Sequence, residues 1–392
     1  MTRPFSVRPQ PAAVLGCLAL LTIGWTGLLI PSLIRSIKET FDQTDAGIGL
    51  IYLLYATAYA VGSFGGGPVT ERLGRRRVLS AAAALHGAGI IGLGLAPSWT
   101  FFMVLALPAG LGAGALDGGS NGLFLDLFRT GRGRAMNALH LFFSIGALSA
   151  PLIVGALVDG GAAWPFVMAG SGAAPLALAA GFWLIRVPSG RTPAPSTDDG
   201  AARSVSLGGR IAVPLVLLGI AICSYVASEV GVSNWLVRFL EPAPLSTATL
   251  ALSLYWGGLA VGRGVSSAIS DRFDHVRFTA SCAAVVTVAL VGAIAVPSLP
   301  ISIALFTIAG VASGPIFPMI LAVGGERYAD RSAAVSALLT GFGVVGGTLY
   351  PPLMGLLSVT VGLTAAMYGT AILGVVCGGA LIAFDRRLRP AR

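Results

Sequence analysis

Twelve long apolar stretches constrain this chain more than any other feature of its sequence. A helix needs about 20 mostly apolar residues to cross the hydrocarbon core of a bilayer, because every backbone amide there must be bonded within its own segment. The links between the stretches are mostly short and polar or charged, so neighbouring helices are predicted to be antiparallel. The sequence therefore predicts an all-α integral membrane protein. The stretches begin near Pro11, Ile48, Val78, Trp99, Met136, Trp164, Ile211, Thr247, Phe278, Pro300, Ala334 and Leu363.

The composition agrees with a protein whose solvent is the bilayer. Only 10% of the 392 residues are charged, whereas a soluble globular chain carries roughly 25%. The formal net charge of +9 is compatible with nucleic acid, but the arginines are spread over loop ends beside apolar stretches. Such a distribution suits anionic lipid headgroups, so we expect the bilayer as partner and no nucleic acid.

The distribution of basic residues predicts the orientation. If the N-terminus is cytoplasmic, only Arg35, Lys38 and Arg238 fall on the opposite side, and Arg263 lies inside a stretch. The positive-inside rule then places both termini in the cytoplasm and the chain in the cytoplasmic (plasma) membrane. The first stretch is too long for a signal-peptide core and lacks a clean cleavage site, so we expect a retained helix.

The chain repeats itself at an offset of 200 residues. Between the halves lies a segment rich in Pro, Ser, Thr, Gly and charge that cannot cross a membrane. We therefore predict a first six-helix bundle over 1–186, a cytoplasmic linker over 187–210 and a second six-helix bundle over 211–392. The clearest matched pairs are Tyr55 with Tyr255, Gly62 with Gly262, Arg72 with Arg272, Gly110 with Gly310, Gly114 with Gly314, Gly146 with Gly346 and Pro151 with Pro351.

The loop after the second stretch carries a dense pattern of glycine, acid and base. It reads Gly67-Pro-Val-Thr-Glu71-Arg72-Leu-Gly74-Arg75-Arg76-Arg77. The pattern resembles the cytoplasmic loop signature of the major facilitator superfamily, with Glu71 where that family usually has Asp. The resemblance implies the major facilitator fold, two pseudo-symmetric six-helix bundles with a substrate site between them near the membrane midplane.

Glu71 can accept hydrogen bonds from a neighbouring helix end or pair with an arginine, which would hold the cytoplasmic ends together in one transporter state. The alternative is a loop whose charges only anchor the topology. We predict a conformational latch, because an acid among so many arginines is unnecessary for anchoring. The predicted latch residues, which include a weaker copy in the second half, are Gly67, Glu71, Arg72, Gly74, Arg75, Asp271 and Arg272.

Ionisable residues inside the stretches are candidate functional groups, since burying one near the bilayer centre costs several kcal/mol unless it faces a cavity or a partner. Asp117, Glu229 and Arg263 meet this description. Asn121 lies four residues after Asp117 and therefore on the same helix face. We expect Arg263 to meet a buried acid, the substrate or a backbone carbonyl, and predict the polar surface around Asp117 and His140 as its partner.

Two further polar stripes run along the fifth and seventh stretches. Asn137, His140 and Ser144 form the first; His140 either titrates during transport or simply bonds to its neighbours. His86 stands alone in the third stretch and is expected to be a satisfied core histidine. The second stripe suits a sugar site, since sugars stack on aromatic rings and bond their hydroxyls to carboxylates and amides. Its members, with Trp256 of the eighth stretch, are Tyr225, Glu229, Ser233 and Asn234.

These residues carry a finer resemblance, to the fucose permease and sodium-dependent glucose transporter branch. It implies ion-coupled uptake of a monosaccharide or similar small polar solute by alternating access. One departure matters, because fucose permease uses an aspartate in its first helix and this chain has no acid there. The rival prediction is proton-coupled efflux of drugs or metabolites, although Ala150 stands where the antiporter motif near Pro151 has Gly.

The alternative outside transport is a receptor of the same fold that binds a ligand without moving it, and failure of the purified protein in liposomes to move any bound ligand would favour it. The sequence lacks the nucleophile, base and oxyanion arrangement of a membrane enzyme, and the four cysteines are predicted to be buried small hydrophobes. We therefore expect no enzyme activity, no metal and no cofactor beyond a coupling proton or sodium ion. The expected partner is a small-molecule substrate, and the protein is expected to work as a monomer.

Overall fold

The computed structural model describes residues 11–128, 132–188, 213–328 and 331–388. Within them, twelve helices are long and apolar enough to cross a membrane, which confirms the predicted fold class. The linker residues 189–210, and basic residues such as Arg3, Arg129 and Arg191, lie outside the described residues.

Helices α1 to α12 follow the order of the predicted stretches. The largest difference between a predicted and an observed start is at α5, predicted from Met136 and observed from Arg132. The bounds are Pro11–Gly27 continuing as Leu29–Phe41 (α1), Asp45–Leu73 (α2), Arg75–Gly94 (α3), Trp99–Leu127 (α4), Arg132–Asp159 (α5), Trp164–Ser171 continuing as Ala173–Leu184 (α6), Val213–Phe239 (α7), Leu245–Ile269 (α8), His275–Ala295 (α9), Leu299–Ser313 continuing as Ile316–Arg327 (α10), Ser332–Val361 (α11) and Leu363–Leu388 (α12).

Three of the described spans break, and two of the breaks lie at glycine or proline. In α10 the break is at Gly314 and Pro315, and proline has no backbone N–H to donate to the preceding turn. In α6 it is at Gly172, where a Cβ would collide with the carbonyl oxygen of Gly87 in α3. Close helix packing therefore accounts for the glycine at this second break.

The 200-residue repeat corresponds to repeated helix packing. A Cβ at Gly62 would collide with the carbonyl oxygen of Leu111 in α4, and one at Gly262 would collide with that of Val311 in α10. The same holds for Gly146 of α5 against α1, and for Gly346 of α11 against α7. The matched glycines therefore let helix backbones approach each other in both halves.

The chain divides into two compact units. Among the described residues, the first unit holds 11–29 and 54–188, and the second holds 30–53 and all residues from 213 onward. The segment 30–53 comprises the second part of α1, the turn after it and the start of α2. We call this the outer end, because it lies opposite the predicted cytoplasmic side, and it packs with the second unit.

Candidate functional site

A hydrogen-bonded carboxylate lies in the first unit. Tyr59 of α2 donates a hydrogen bond to Asp117 Oδ2 at 2.6 Å. Asn121 Nδ2 donates to Asp117 Oδ1 at 2.9 Å, and His140 of α5 is close enough to interact electrostatically with this carboxylate. The structure therefore joins three residues predicted from the sequence and adds Tyr59, which the repeat does not mark because Leu259 stands at the matching position.

The surroundings of this carboxylate have capacity for a ligand. Asn121 Oδ1 is buried and has no hydrogen-bond partner within the described part of the chain. Asn137 and His140 are exposed on α5, whereas Ser144 is buried and donates to the backbone oxygen of His140 at 3.2 Å. The acceptor of Asn121 and the side chains of α5 can therefore bind a polar solute or an ion.

The second unit holds a second carboxylate. Tyr225 donates a hydrogen bond to Glu229, one turn later on α7. Arg263 of α8 interacts electrostatically with Glu229 and with the hydroxyls of Tyr225 and Tyr255. Glu229 is therefore the charged neighbour of Arg263 in its own unit, a partner that differs from the predicted surface around Asp117.

Three other predicted residues of the second unit lie at its packed helix contacts. Trp256 donates its indole N–H to Ser233 Oγ at 2.9 Å, and both residues are buried. The backbone oxygen of Asn234 accepts a hydrogen bond from Tyr52 at 2.9 Å. The polar groups of Trp256 and Ser233 are therefore bonded to each other. Of the residues in the second polar stripe, only Tyr225 and Glu229 belong to the charged group around Arg263.

The signature loop forms an ion pair between a buried arginine and a half-exposed acid that the sequence analysis missed. Arg75, which is 7% exposed, donates to Asp126 Oδ2 of α4 at 2.6 Å. Gly74, with φ of 83°, makes the left-handed turn between α2 and α3, a conformation that glycine adopts without strain. Asp126 lies one position before the end of α4, and an acid at such a helix end, near the basic run of the signature loop, is the signal that could have identified it.

The remaining latch residues are less enclosed. Glu71 and Arg72 are exposed at the end of α2, Arg272 is exposed after α8, and Gly67 has open space around its Cα. The side chain of Asp271 lies outside the described residues. The latch stays a prediction, to which the structure adds the pair Arg75 and Asp126.

His86 is bonded on both sides of its ring. Its Nδ1 lies 2.8 Å from the backbone oxygen of Ala109, and its Nε2 lies 2.8 Å from Thr26 Oγ1. Because a carbonyl oxygen only accepts, Nδ1 carries the proton. His86 therefore links α3 to α1 and α4 as a fully buried core histidine, as the sequence predicts.

A groove of about 550 Å³ in the first unit lies away from these polar residues. Leu21 and Trp25 of α1 lie on it, together with Phe166 and Ser171 of α6. Trp25 donates its indole N–H to Ser171 Oγ at 2.9 Å, so these two polar side chains are bonded to each other. Among the described residues, no group of three His, Cys, Asp or Glu side chains is arranged to hold a metal ion.

The sequence model of the Major Facilitator Superfamily matches residues 14–244 and 216–392. The chain belongs to this superfamily. The predicted family is confirmed, and the protein is a multi-pass membrane transporter. Since the family and the relatives below consist of transporters, the prediction that the chain is not an enzyme is also confirmed.

The chain resembles characterised carriers along most of its length. It is 24% identical over 350 residues to the glucose/mannose transporter GlcP of Bacillus subtilis, covering 85% of this chain and 84% of that protein. It is 23% identical over 389 residues to a gentisate transporter of Corynebacterium glutamicum, covering 94% of this chain and 86% of that protein. Other relatives, among them a glucose/galactose transporter of Brucella abortus, are matched over 35%, 32% and 39% of their own length.

The fold is also similar to a solved structure. A bacterial homolog to the human lysosomal transporter Spinster superposes on this chain with a TM-score of 0.80 and 16% identity. The superposition covers 98% of this chain and 100% of that chain. At this identity the likeness confirms the fold alone.

Proposed function

We propose that this protein is a secondary active transporter that works by alternating access. It takes up a monosaccharide or similar small polar solute, coupled to protons or sodium. One observation carries the proposal: each unit holds a carboxylate inside its spans, bonded to a tyrosine hydroxyl. Acids at this depth are costly to bury. Their retention therefore supports binding of a solute and of a coupling ion.

The chemistry around Glu229 suits recognition of a polyhydroxylated solute. Glu229 accepts hydrogen bonds, Arg263 donates them, and Tyr225 and Tyr255 add rings and hydroxyls. A sugar can stack on such ring faces, donate its hydroxyls to the carboxylate and accept from the cation. The similarity to GlcP supports the same substrate class.

The two carboxylates differ in their charged neighbours, which suggests that they have different roles in transport. Glu229 lies within electrostatic range of the positive charge of Arg263, which partly offsets its own negative charge. Asp117 is bonded to the neutral donors Tyr59 and Asn121 and lies within electrostatic range of His140. We therefore assign ion coupling to Asp117 and substrate binding to Glu229 with Arg263.

A small organic acid is the second candidate substrate. Arg263 is a cation inside the second unit, and the gentisate transporter, whose substrate name denotes an organic acid, matches this chain over 94% of its length. Under this alternative the anionic group of the solute would bind Arg263 and displace Glu229 from it. Efflux stays the alternative for the direction of transport.

The remaining parts of the proposal concern location and assembly. The protein lies in the plasma membrane with both termini in the cytoplasm, as the distribution of arginines indicates. It works as a monomer. Pro151 of α5 and Pro351 of α11 each lack one backbone hydrogen bond and provide places where the helices can bend during the cycle.

Reconstitution in liposomes tests the proposal. Uptake of radiolabelled glucose, mannose or galactose should rise with an inward proton or sodium gradient, and Asp117→Asn should abolish the response to the gradient. Glu229→Gln should weaken substrate exchange even without a gradient. Asp42→Asn is the matched control, because the position is exposed and asparagine tolerates its φ of 48°. Gradient-driven uptake of gentisate but of no sugar would favour the second candidate, and full coupling in Asp117→Asn would overturn the assignment.

A further inference from the structure

A positively charged groove lies at the predicted cytoplasmic end of the first unit, and none of the predicted site residues lines it. It has a volume of about 470 Å³ between the start of α1 and the end of α6. The lining residues are Pro11, Ala12, Ile185, Arg186, Val187 and Pro188. Among these described residues Arg186 alone is charged, and it is exposed. The groove therefore attracts an anion.

A second arginine is fixed beside the groove by the end of α6. Arg76 of α3 donates to the backbone oxygen of Trp183, and its guanidinium carbon lies 5.1 Å from the centre of the Trp183 ring. The last carbonyls of a helix have no partner within it, and the face of an aromatic ring attracts a cation. Trp183 precedes Arg186 by three positions, a span of at most about 11 Å along the backbone. Two cations therefore lie at the end of α6.

Arg76 keeps donors for a ligand while it caps α6. A guanidinium carries five N–H groups, and the bond to the Trp183 oxygen is made by Nη2 alone. The Arg76 side chain is exposed, as is that of Arg186. Arginine binds phosphate through parallel N–H···O hydrogen bonds, which suit its planar shape. Both arginines can therefore bind a phosphate group at this end of the unit.

The surface beside the two arginines is apolar. Trp183 is 52% exposed and Leu184 is 80% exposed, at the last two positions of α6. Tryptophan is enriched where the hydrocarbon of a bilayer meets the headgroups. Apolar surface and cations therefore follow each other as the acyl chains and the phosphate of a phospholipid do. A soluble phosphate compound would leave Trp183 and Leu184 without a contact.

We propose that Arg76, Trp183 and Arg186 form a binding site for an anionic phospholipid of the cytoplasmic leaflet. The two guanidiniums bind its phosphate, and Trp183 and Leu184 contact its acyl chains. A zwitterionic headgroup such as phosphocholine would bring a third cation towards the arginines, so an anionic headgroup is favoured. The site is separate from the proposed transport of a solute, and the bound lipid stabilises the folded chain by mass action.

Thermal melting of the purified full-length chain in detergent tests the site. Added phosphatidylglycerol should raise the melting temperature, and phosphatidylcholine with the same acyl chains should raise it less. Arg76→Gln combined with Arg186→Gln should need about tenfold more phosphatidylglycerol for half of the rise, because charge-assisted hydrogen bonds to the phosphate are lost. The measured quantity is the rise that lipid causes, so a lower starting temperature from the lost cap of α6 does not affect the comparison.

Arg386→Gln combined with Arg387→Gln is the matched control, because both arginines are exposed near the end of α12 and the same charge is removed. This variant should keep the native response to phosphatidylglycerol. Arg186→Gln alone, which leaves the Arg76 cap in place, should give a smaller shift than the double variant, in the same direction. Equal responses in the two double variants, or equal stabilisation by the two lipids, would overturn the site.

Glycerol phosphate distinguishes a lipid from a soluble phosphate compound. It carries the phosphate without acyl chains, so it should leave the melting temperature unchanged at concentrations where phosphatidylglycerol acts. Equal stabilisation by glycerol phosphate would assign the groove to a soluble phosphate compound and overturn the lipid site. These measurements involve no transported solute, so their outcome does not depend on whether the protein transports a sugar.

Discussion

The hydroxyl of Tyr59 lies 2.6 Å from the carboxylate of Asp117, and this hydrogen bond joins α2 to α4 in the first unit. In the second unit, the corresponding tyrosine and carboxylate lie one turn apart on a single helix, α7. The two units therefore reach the same chemical pairing by different routes. Movement between α2 and α4 would change the donor to Asp117, whereas Glu229 keeps its tyrosine donor within one helix.

Tyr59→Phe should weaken ion coupling. A hydrogen bond to a charged group contributes about 1.5–3 kcal/mol, so the apparent affinity for the coupling ion should change by about tenfold or more. Initial uptake rates measured across a series of ion concentrations give this affinity. Tyr55→Phe, one turn earlier on α2, removes a hydroxyl that is not bonded to Asp117 and is the control. Equal affinity shifts in the two variants would contradict a specific role for Tyr59.

Arg263→Gln should destabilise the protein more than the double variant Arg263→Gln with Glu229→Gln. Removing the cation alone takes away the positive charge that offsets the Glu229 carboxylate, whereas the double variant leaves two neutral groups. Thermal melting in detergent measures the difference. Melting temperatures that simply add the two single effects would show that Arg263 and Glu229 do not interact.

Asp126→Asn should lower thermal stability more than Glu71→Gln. Arg75 is buried and its Nη1 is bonded to Asp126, whose side chain is 50% exposed, so the first change replaces a partly screened charge pair with a weaker neutral hydrogen bond, at a cost of about 1 kcal/mol. Glu71 is exposed and loses little. The opposite order of melting temperatures would assign the stabilising ion pair to Glu71.

Gly262→Ala should destabilise the second unit, while Gly264→Ala should be neutral or slightly stabilising. A Cβ at position 262 would collide with the backbone oxygen of Val311, whereas one at position 264 meets open space. Overpacking costs about 1–3 kcal/mol, and replacing glycine by alanine inside a helix otherwise favours folding. Yield and melting temperature of the two purified variants check this pair. Equal behaviour would show that α8 and α10 do not pack closely at Gly262.

The sequence alone determined the spans and the repeat, because both depend on local chemistry. An apolar stretch of sufficient length must be helical in a bilayer, since its amides have no other partner. Glycines at matching positions marked the helix crossings, as Gly62 and Gly262 show. Asp117, Glu229 and Arg263 were identifiable because charge inside a span is costly wherever it points.

Only the tertiary structure decided which of these groups meet. Helical spacing gives the face on which a side chain lies, but not which helix packs against that face. Tyr59 reaches Asp117 across 58 positions of sequence, and Asp45 reaches Ser358 across 313. Trp256 and Ser233 looked like ligand groups in sequence and are bonded to each other in the structure. The sequence thus determined which side chains are costly to bury, and helix packing decided which partner compensates each of them.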